Sequence, residues 1–207
     1  MVGPDGAVRN CQCPRAYLVE ADAMSHEIER KFLVNVDIDY LVRTTMPVDD
    51  MYDGLHGELW IITEITQHYL KKTGDWAIRV RQIKEWLNGE EVFHYCQTMK
   101  KRIDDRKSIE IEETIDRESF LFLANDRTLT TPALIKNRHR ITYGDNRRLA
   151  WEVDEFLNPE YKGLLLAEIE LEKSDQFFRM PFWLGEEVTH DKKYRNARMA
   201  RKLEKDS

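Results

Sequence analysis

Seven pairs of like-charged residues recur along the chain, the members of each pair two residues apart. Four pairs are acidic: Glu27/Glu29, Glu110/Glu112, Glu152/Asp154 and Glu168/Glu170. Three are basic: Arg79/Arg81, Lys100/Arg102 and Lys136/Arg138. Carboxylate oxygens are the ligands that hard divalent cations prefer. Guanidinium forks match phosphate oxygens two at a time, and ammonium groups add point charge. A cation lodged between carboxylates and a polyanion neutralises both. These residue types suit a phosphate-rich anion bridged by a divalent cation, provided that the pairs face one another.

A spacing of two is one face of a β-strand. On the stretch 26–34, Glu27, Glu29 and Lys31 share one face, and Ile28, Arg30 and Phe32 share the other. A half-wet sheet would turn such charges to solvent. Solvated faces mix signs, however, and like charges side by side cost free energy. Signs sorted strand by strand fit a concave binding face instead. The apolar alternates, such as Ile78, Val80, Ile111, Ile169 and Leu171, then pack outward beneath helices.

The pattern predicts strands over 26–34, 64–71, 76–84, 91–102, 107–115, 134–143, 148–156 and 164–172. Asn88-Gly89 is the strongest hairpin signal. Short connections of this kind imply antiparallel pairing, and eight strands suffice to close a barrel. The expected fold is α+β, mainly antiparallel β: an eight-stranded tunnel barrel with a charged interior and flanking helices. Helical stretches are predicted at 36–43, at 117–125 behind the cap Asp116, in a short piece after Ser174 containing Phe177 and Phe178, and at 194–203. Residues 44–60, rich in Asp, Gly and Pro, read as a loop insertion. Residues 1–23 lack either period and read as a disordered or misannotated extension, with Met24 the expected functional start and 24–207 the domain.

The chain has 207 residues and a net charge of −6. That balance argues against a general nucleic-acid binder. No apolar run nears the roughly 20 residues that cross a membrane. The cysteines, Cys11, Cys13 and Cys96, form no disulfide framework and suit a reducing cytoplasm. Cys11 and Cys13 have no partner pair at a zinc spacing. None of the six histidines is placed at a ligand spacing to another.

The ordered set resembles the CYTH domain, the triphosphate tunnel metalloenzymes. Glu27-x-Glu29-x-Lys31 is similar to the family's first-strand signature. Arg79-Val80-Arg81, Thr98-Met99-Lys100, Glu110-Ile111-Glu112, Lys136-Asn137-Arg138, Glu152-Val153-Asp154 and Glu168-Ile169-Glu170 follow in the family's order. The segment from Trp183 through Asn196 looks like its closing piece. The resemblance covers about residues 25–200 and points to a compact bacterial, tripolyphosphatase-like member. It implies a tunnel that binds a small-molecule triphosphate and uses Mg²⁺ or Mn²⁺. Glu27, Glu29, Glu168 and Glu170 would be the main metal ligands. Lys31, Arg79, Arg81, Lys100, Lys136, Arg138 and Lys193 would grip phosphates. Glu110, Glu112 and Asp154 would orient the basic residues or hold a second cation.

The expected chemistry is metal-assisted hydrolysis of a phosphoanhydride, with Glu168, Glu170 and Lys136 in the catalytic set and Lys136 orienting the water. Inorganic tripolyphosphate, cleaved to pyrophosphate and phosphate, is the first substrate. Thiamine triphosphate, nucleoside triphosphates, adenylate cyclisation and non-catalytic polyphosphate binding remain alternatives. Neither nucleic acid nor membrane is expected as a partner, and the oligomeric state stays open, a homodimer included. Trp76, Trp86 and Tyr95 read as packing residues.

Overall fold

The computed structural model describes residues 25–45, 58–142 and 149–204. The expectations for residues 1–23, for most of the 44–60 insertion and for the turn after residue 142 lie outside these. Nine strands form: β1 (Ser25–Val34), β2 (Glu58–Tyr69), β3 (Trp76–Leu87), β4 (Glu90–Arg102), β5 (Lys107–Thr114), β6 (Leu134–Thr142), β7 (Ala150–Phe156), β8 (Leu165–Leu171) and β9 (Leu184–Glu187). The helices are α1 (Ile38–Thr45), α2 (Arg117–Asn125) and α3 (Asn196–Leu203).

The strand order is β5-β4-β3-β2-β6-β7-β8-β1-β9, and β5 also pairs with β1. That extra pairing closes β1 to β8 into an antiparallel barrel. The closing seam is short, running from Ser25↔Glu110 to Ile28↔Lys107. Beyond it, the same edge of β1 is taken over by β9, at Phe32↔Glu187 and Val34↔Leu184. β9 was not among the expected strands.

Local chemistry explains most elements. β3 and β4 run on into a two-residue turn, where Asn88 and Gly89 take φ of 52° and 83°, the left-handed pair that a tight hairpin needs. Asp116 caps α2, accepting a hydrogen bond from the Ser119 amide at 2.6 Å. β2 begins at Glu58, six residues before its expected start, because its first half pairs with β6 as far as Glu58↔Thr142. The predicted helix after Ser174 does not form. Phe178 is drawn into the core while Phe177 beside it stays exposed. Pro181 follows and disfavours helix in the residue before it.

The apolar alternates pack outward as expected. Val80 meets Phe120 and Ala124 of α2. Phe32, Trp151, Val153 and Ile169 meet Leu41 of α1, together with Phe178 and Trp183 of the irregular 172–183 segment. One end of the barrel departs from a wholly charged interior. There Leu134, Phe156 and Leu166, in phase with the charged residues of their strands, pack against Met199, Ala200 and Leu203 of α3. The C-terminal helix plugs that mouth with its apolar side.

Candidate functional site

Register brings the charged pairs onto one inner wall. Arg138 lies opposite Asp154, and Arg140 opposite Glu152. Glu152 in turn lies opposite Glu168. Lys31 faces Glu168, and Glu29 faces Glu170. Lys100 faces Glu110 and Thr98 faces Glu112. Most of these residues line a cavity of about 870 Å³. Its acidic lining includes Glu27, Glu29, Glu110, Glu112, Glu168 and Glu170; its basic lining includes Lys31, Arg79, Arg81, Lys100 and Arg138.

The groups are arranged as hubs. The Lys100 ammonium sits 2.7 Å from Glu27, 3.2 Å from Glu29 and 3.2 Å from Glu110. Lys31 sits 2.5 Å from Glu168 and 3.6 Å from Glu29. Arg138 donates to Asp154 at 2.7 Å, reaches Glu168 at 3.2 Å and also pairs with Glu152. Arg79 lies 3.4 Å from Glu110, and Thr98 donates to Glu112 at 2.7 Å.

Charge state follows from these neighbours. Burial pushes the Glu110 carboxyl up, but Arg79, Lys100 and Arg81 outweigh it and hold it at about 2. Burial likewise works against Glu168, yet Lys31 and Arg138 keep it well below the ordinary range. Glu27 goes the other way. Burial is the largest influence, Lys100 pulls against it, Glu110 and Glu170 blunt that pull, and the carboxyl rises to about 7. Glu170, at the barrel end away from α3, is raised by burial and then by Glu152.

That end of the wall thus holds more negative charge than its lysines neutralise. The donor set there, oxygen only, fits a hard divalent cation. Among the described residues no cluster of three or more ligands is gathered tightly enough to cage an ion. Mg²⁺ asks for less, since it is commonly held by one or two carboxylates plus substrate phosphates.

Three expected site residues stand elsewhere. Lys136 and Asp154, both 0% exposed, pair with each other beneath the wall and do not line the cavity. Burial, followed by Arg138, drives the Lys136 ammonium down to about 8. The structure thus places the Lys136 ammonium against a buried carboxylate beneath Arg138, and not at the cavity surface where a water-orienting group was expected. Lys193 is 67% exposed and turns to Asp191 at 3.0 Å. Its neighbour Lys192 lines the cavity instead, because the short turn at Lys192–Tyr194 points successive side chains apart.

Other lining residues were not in the expected set. Arg140 and Glu152 share faces with residues already chosen, and that phase was their signal. Arg195, Arg198 and Arg201 rim the mouth beside α3. Their three-residue spacing, opposite Met199, Ala200 and Leu203, was the signal, and it reads equally as a solvated helix face. Of the aromatics, Tyr95 packs on Phe120 with centroids 5.3 Å apart. Trp86 is exposed at the β3–β4 tip, and Trp76 lines the cavity.

A closed antiparallel barrel whose bore carries both phosphate-matching cations and metal-matching carboxylates defines a tunnel-type anion-binding protein. Residues 25–203 match the family model of the CYTH domain, and the chain belongs to that family. It is similar to an inorganic triphosphatase of Acetivibrio thermocellus, 29% identical over 179 residues, which cover 86% of this chain and 95% of the relative. It also resembles the crystal structure of the inorganic triphosphatase NE1496, 29% identical with a TM-score of 0.48, covering 86% of this chain and 97% of that one. The PH1819 protein from Pyrococcus horikoshii OT3 shares the fold at 20% identity and a TM-score of 0.50, covering 72% of this chain and 80% of that one. Among the described residues no helix is long and apolar enough to cross a membrane.

Proposed function

We propose that this chain is a triphosphatase that cleaves inorganic tripolyphosphate to pyrophosphate and phosphate with the help of Mg²⁺ or Mn²⁺. The observation that carries this reading is the single cavity in which Arg79, Arg81, Lys31, Lys100 and Arg138 alternate with carboxylates. The likeness to an inorganic triphosphatase over most of both chains supports it.

In this reading Lys31, Arg79, Arg81, Lys100 and Arg138 grip the phosphate chain. Their positions are set before substrate arrives, Arg79 and Lys100 by Glu110, Arg81 by Glu112, Arg138 by Asp154 and Lys31 by Glu168. Donors fixed in advance stabilise the negative charge spread over the transferred phosphoryl group. Glu27, Glu29, Glu168 and Glu170 would hold the cation. When bound, it supplies charge neutralisation and activation of water. Lys136 acts from below by neutralising Asp154, which keeps Arg138 aimed into the bore. A cytoplasmic setting fits the free, buried thiol of Cys96.

The test is phosphate release from tripolyphosphate, ATP and thiamine triphosphate, each with Mg²⁺, Mn²⁺ or EDTA. The expected result is fastest turnover of tripolyphosphate with a divalent cation and none in EDTA. Thermal stabilisation by tripolyphosphate without turnover would instead identify a polyphosphate binder.

A further inference from the structure

Lys31 stands where the barrel edge changes hands. β5 pairs with β1 only as far as Ile28, and β9 takes over at Phe32 with a shift of register. Where the last bond of the β5 ladder gives way to the first bond of the β9 ladder, the Lys31 amide is left to a side chain. The Glu29 amide donates to the Arg106 carbonyl at 3.0 Å. The Lys31 amide donates to Thr189 Oγ1 at 3.0 Å, and the Lys31 carbonyl accepts from the Val188 amide at 2.7 Å.

The Thr189 hydroxyl has one proton to give. Glu187 Oε1 lies 2.7 Å away, the Lys31 carbonyl 3.4 Å. A carboxylate is the stronger acceptor, so the proton goes to Glu187 and an oxygen lone pair faces the Lys31 amide. Glu187 is itself fixed by Arg30, which donates from Nε at 3.0 Å and from NH2 at 2.5 Å. Arg30 is clamped in turn against Phe32 and Phe178, its guanidinium carbon 5.2 Å and 5.0 Å from their ring centres. A relay therefore runs from the outer core through Arg30, Glu187 and Thr189 to the backbone of Lys31. Thr189 is buried and does not line the cavity.

We propose that Thr189, oriented by Glu187, is a positioning residue that stands in for the missing strand and sets the Lys31 ammonium in the bore. The inference rests on the reading of Lys31 as a phosphate-gripping residue. A shift of the backbone by an ångström at this point would move Nζ off both Glu168 and a bound phosphate, and misplacement of that size is costly in catalysis.

The test is a double-mutant cycle on the full chain, read by calorimetric binding of tripolyphosphate in EDTA and by kcat and KM with Mg²⁺. Thr189→Val keeps the shape and removes the hydroxyl. It is expected to weaken tripolyphosphate binding about tenfold, as for a buried amide left without its acceptor. Thr189→Ser should stay within about twofold of the parent, since the acceptor returns. In a Lys31→Met background, Thr189→Val should cost no more than about a further twofold, because its effect travels through the missing ammonium. Equal losses in both backgrounds, or a lower Tm with unchanged affinity, would mean that Thr189 merely staples β9, and the inference falls. If Thr189→Val does not fold, Glu187→Gln is put through the same cycle with the same outcomes. An unmodified chain that does not bind tripolyphosphate overturns the phosphate reading of Lys31. Normal binding with Thr189→Val unaffected overturns the positioning role alone.

Discussion

Neighbouring carboxylates in the bore do not share one charge state. Glu110 stays ionised down to about 2, while Glu27 is pushed up to about 7. Below that value Glu27 carries a proton that an incoming cation must displace, since ligands bind metal deprotonated. Affinity for Mg²⁺ or Mn²⁺ should therefore rise with pH up to about 7 and level off above it, with up to about one proton released per cation near pH 6. Calorimetry in buffers of different ionisation enthalpy reads both quantities, and flat affinity with no proton release across this range would refute the charge state given to Glu27. Strand phase makes a second prediction. Lys31 points into the bore and Arg30 outward onto Glu187. Lys31→Ala should lower kcat/KM for tripolyphosphate about 100-fold or more, the scale of losing a charged donor to a phosphoryl group. Arg30→Ala should cost about tenfold or less, with a lower Tm, because it acts only through Glu187. Equal losses would undo the phase. Beneath the wall, Asp154→Asn leaves Lys136 buried without its countercharge. That should destabilise the fold by about 3–5 kcal/mol in denaturant unfolding, and a loss under about 1 kcal/mol would show that the pair is not buried as described.

At the scale of elements, α3 has two faces with separate duties. Met199, Ala200 and Leu203 close the barrel end against Leu134, Phe156 and Leu166. Arg198 and Arg201 rim the cavity from the same helix and remain accessible to solvent and salt. Such charges raise the local concentration of an anion more than they stabilise its transition state. The double variant Arg198→Ala/Arg201→Ala should therefore raise KM about fivefold at low salt and leave kcat within about twofold, with the difference shrinking as salt is added. A fall in kcat with unchanged KM would mean that these arginines touch the reacting phosphate. The β4–β5 turn braces the same mouth, with Asp105 3.1 Å from Arg195 and 3.2 Å from His190.

Across the whole molecule, the acidic surplus of the chain is compatible with anion binding because the phosphate-matching residues are gathered inside the bore. The family match begins at residue 25, and truncation tests the expectation that Met24 is the functional start. A chain beginning at Met24 should keep kcat/KM for tripolyphosphate within about twofold and its Tm within a few degrees. Loss of folding or turnover on this truncation would show that residues 1–23 serve the domain.

Features that depend on local period were legible in the chain alone. Alternation of two placed Glu27, Glu29 and Lys31 on one face and Ile28, Arg30 and Phe32 on the other, and the same rule sorted Arg79, Lys100, Glu110 and Glu168 into the bore. Asn88-Gly89 and Asp116 marked a turn and a cap through chemistry confined to a few residues. How deep each inward residue lies was not legible there. Lys136 and Arg138 share a phase, yet one is sealed under the wall and the other reaches the cavity. That depth depends on the stagger between neighbouring strands, which is fixed by pairings far apart in the chain. The same holds at the closing segment. Nothing local marks Leu184–Glu187 as a strand, α3 as a plug, or Thr189 as the acceptor for Lys31. These follow from a barrel whose first strand loses β5 at Ile28 and must satisfy its remaining backbone groups with whatever the C-terminal chain brings to that edge.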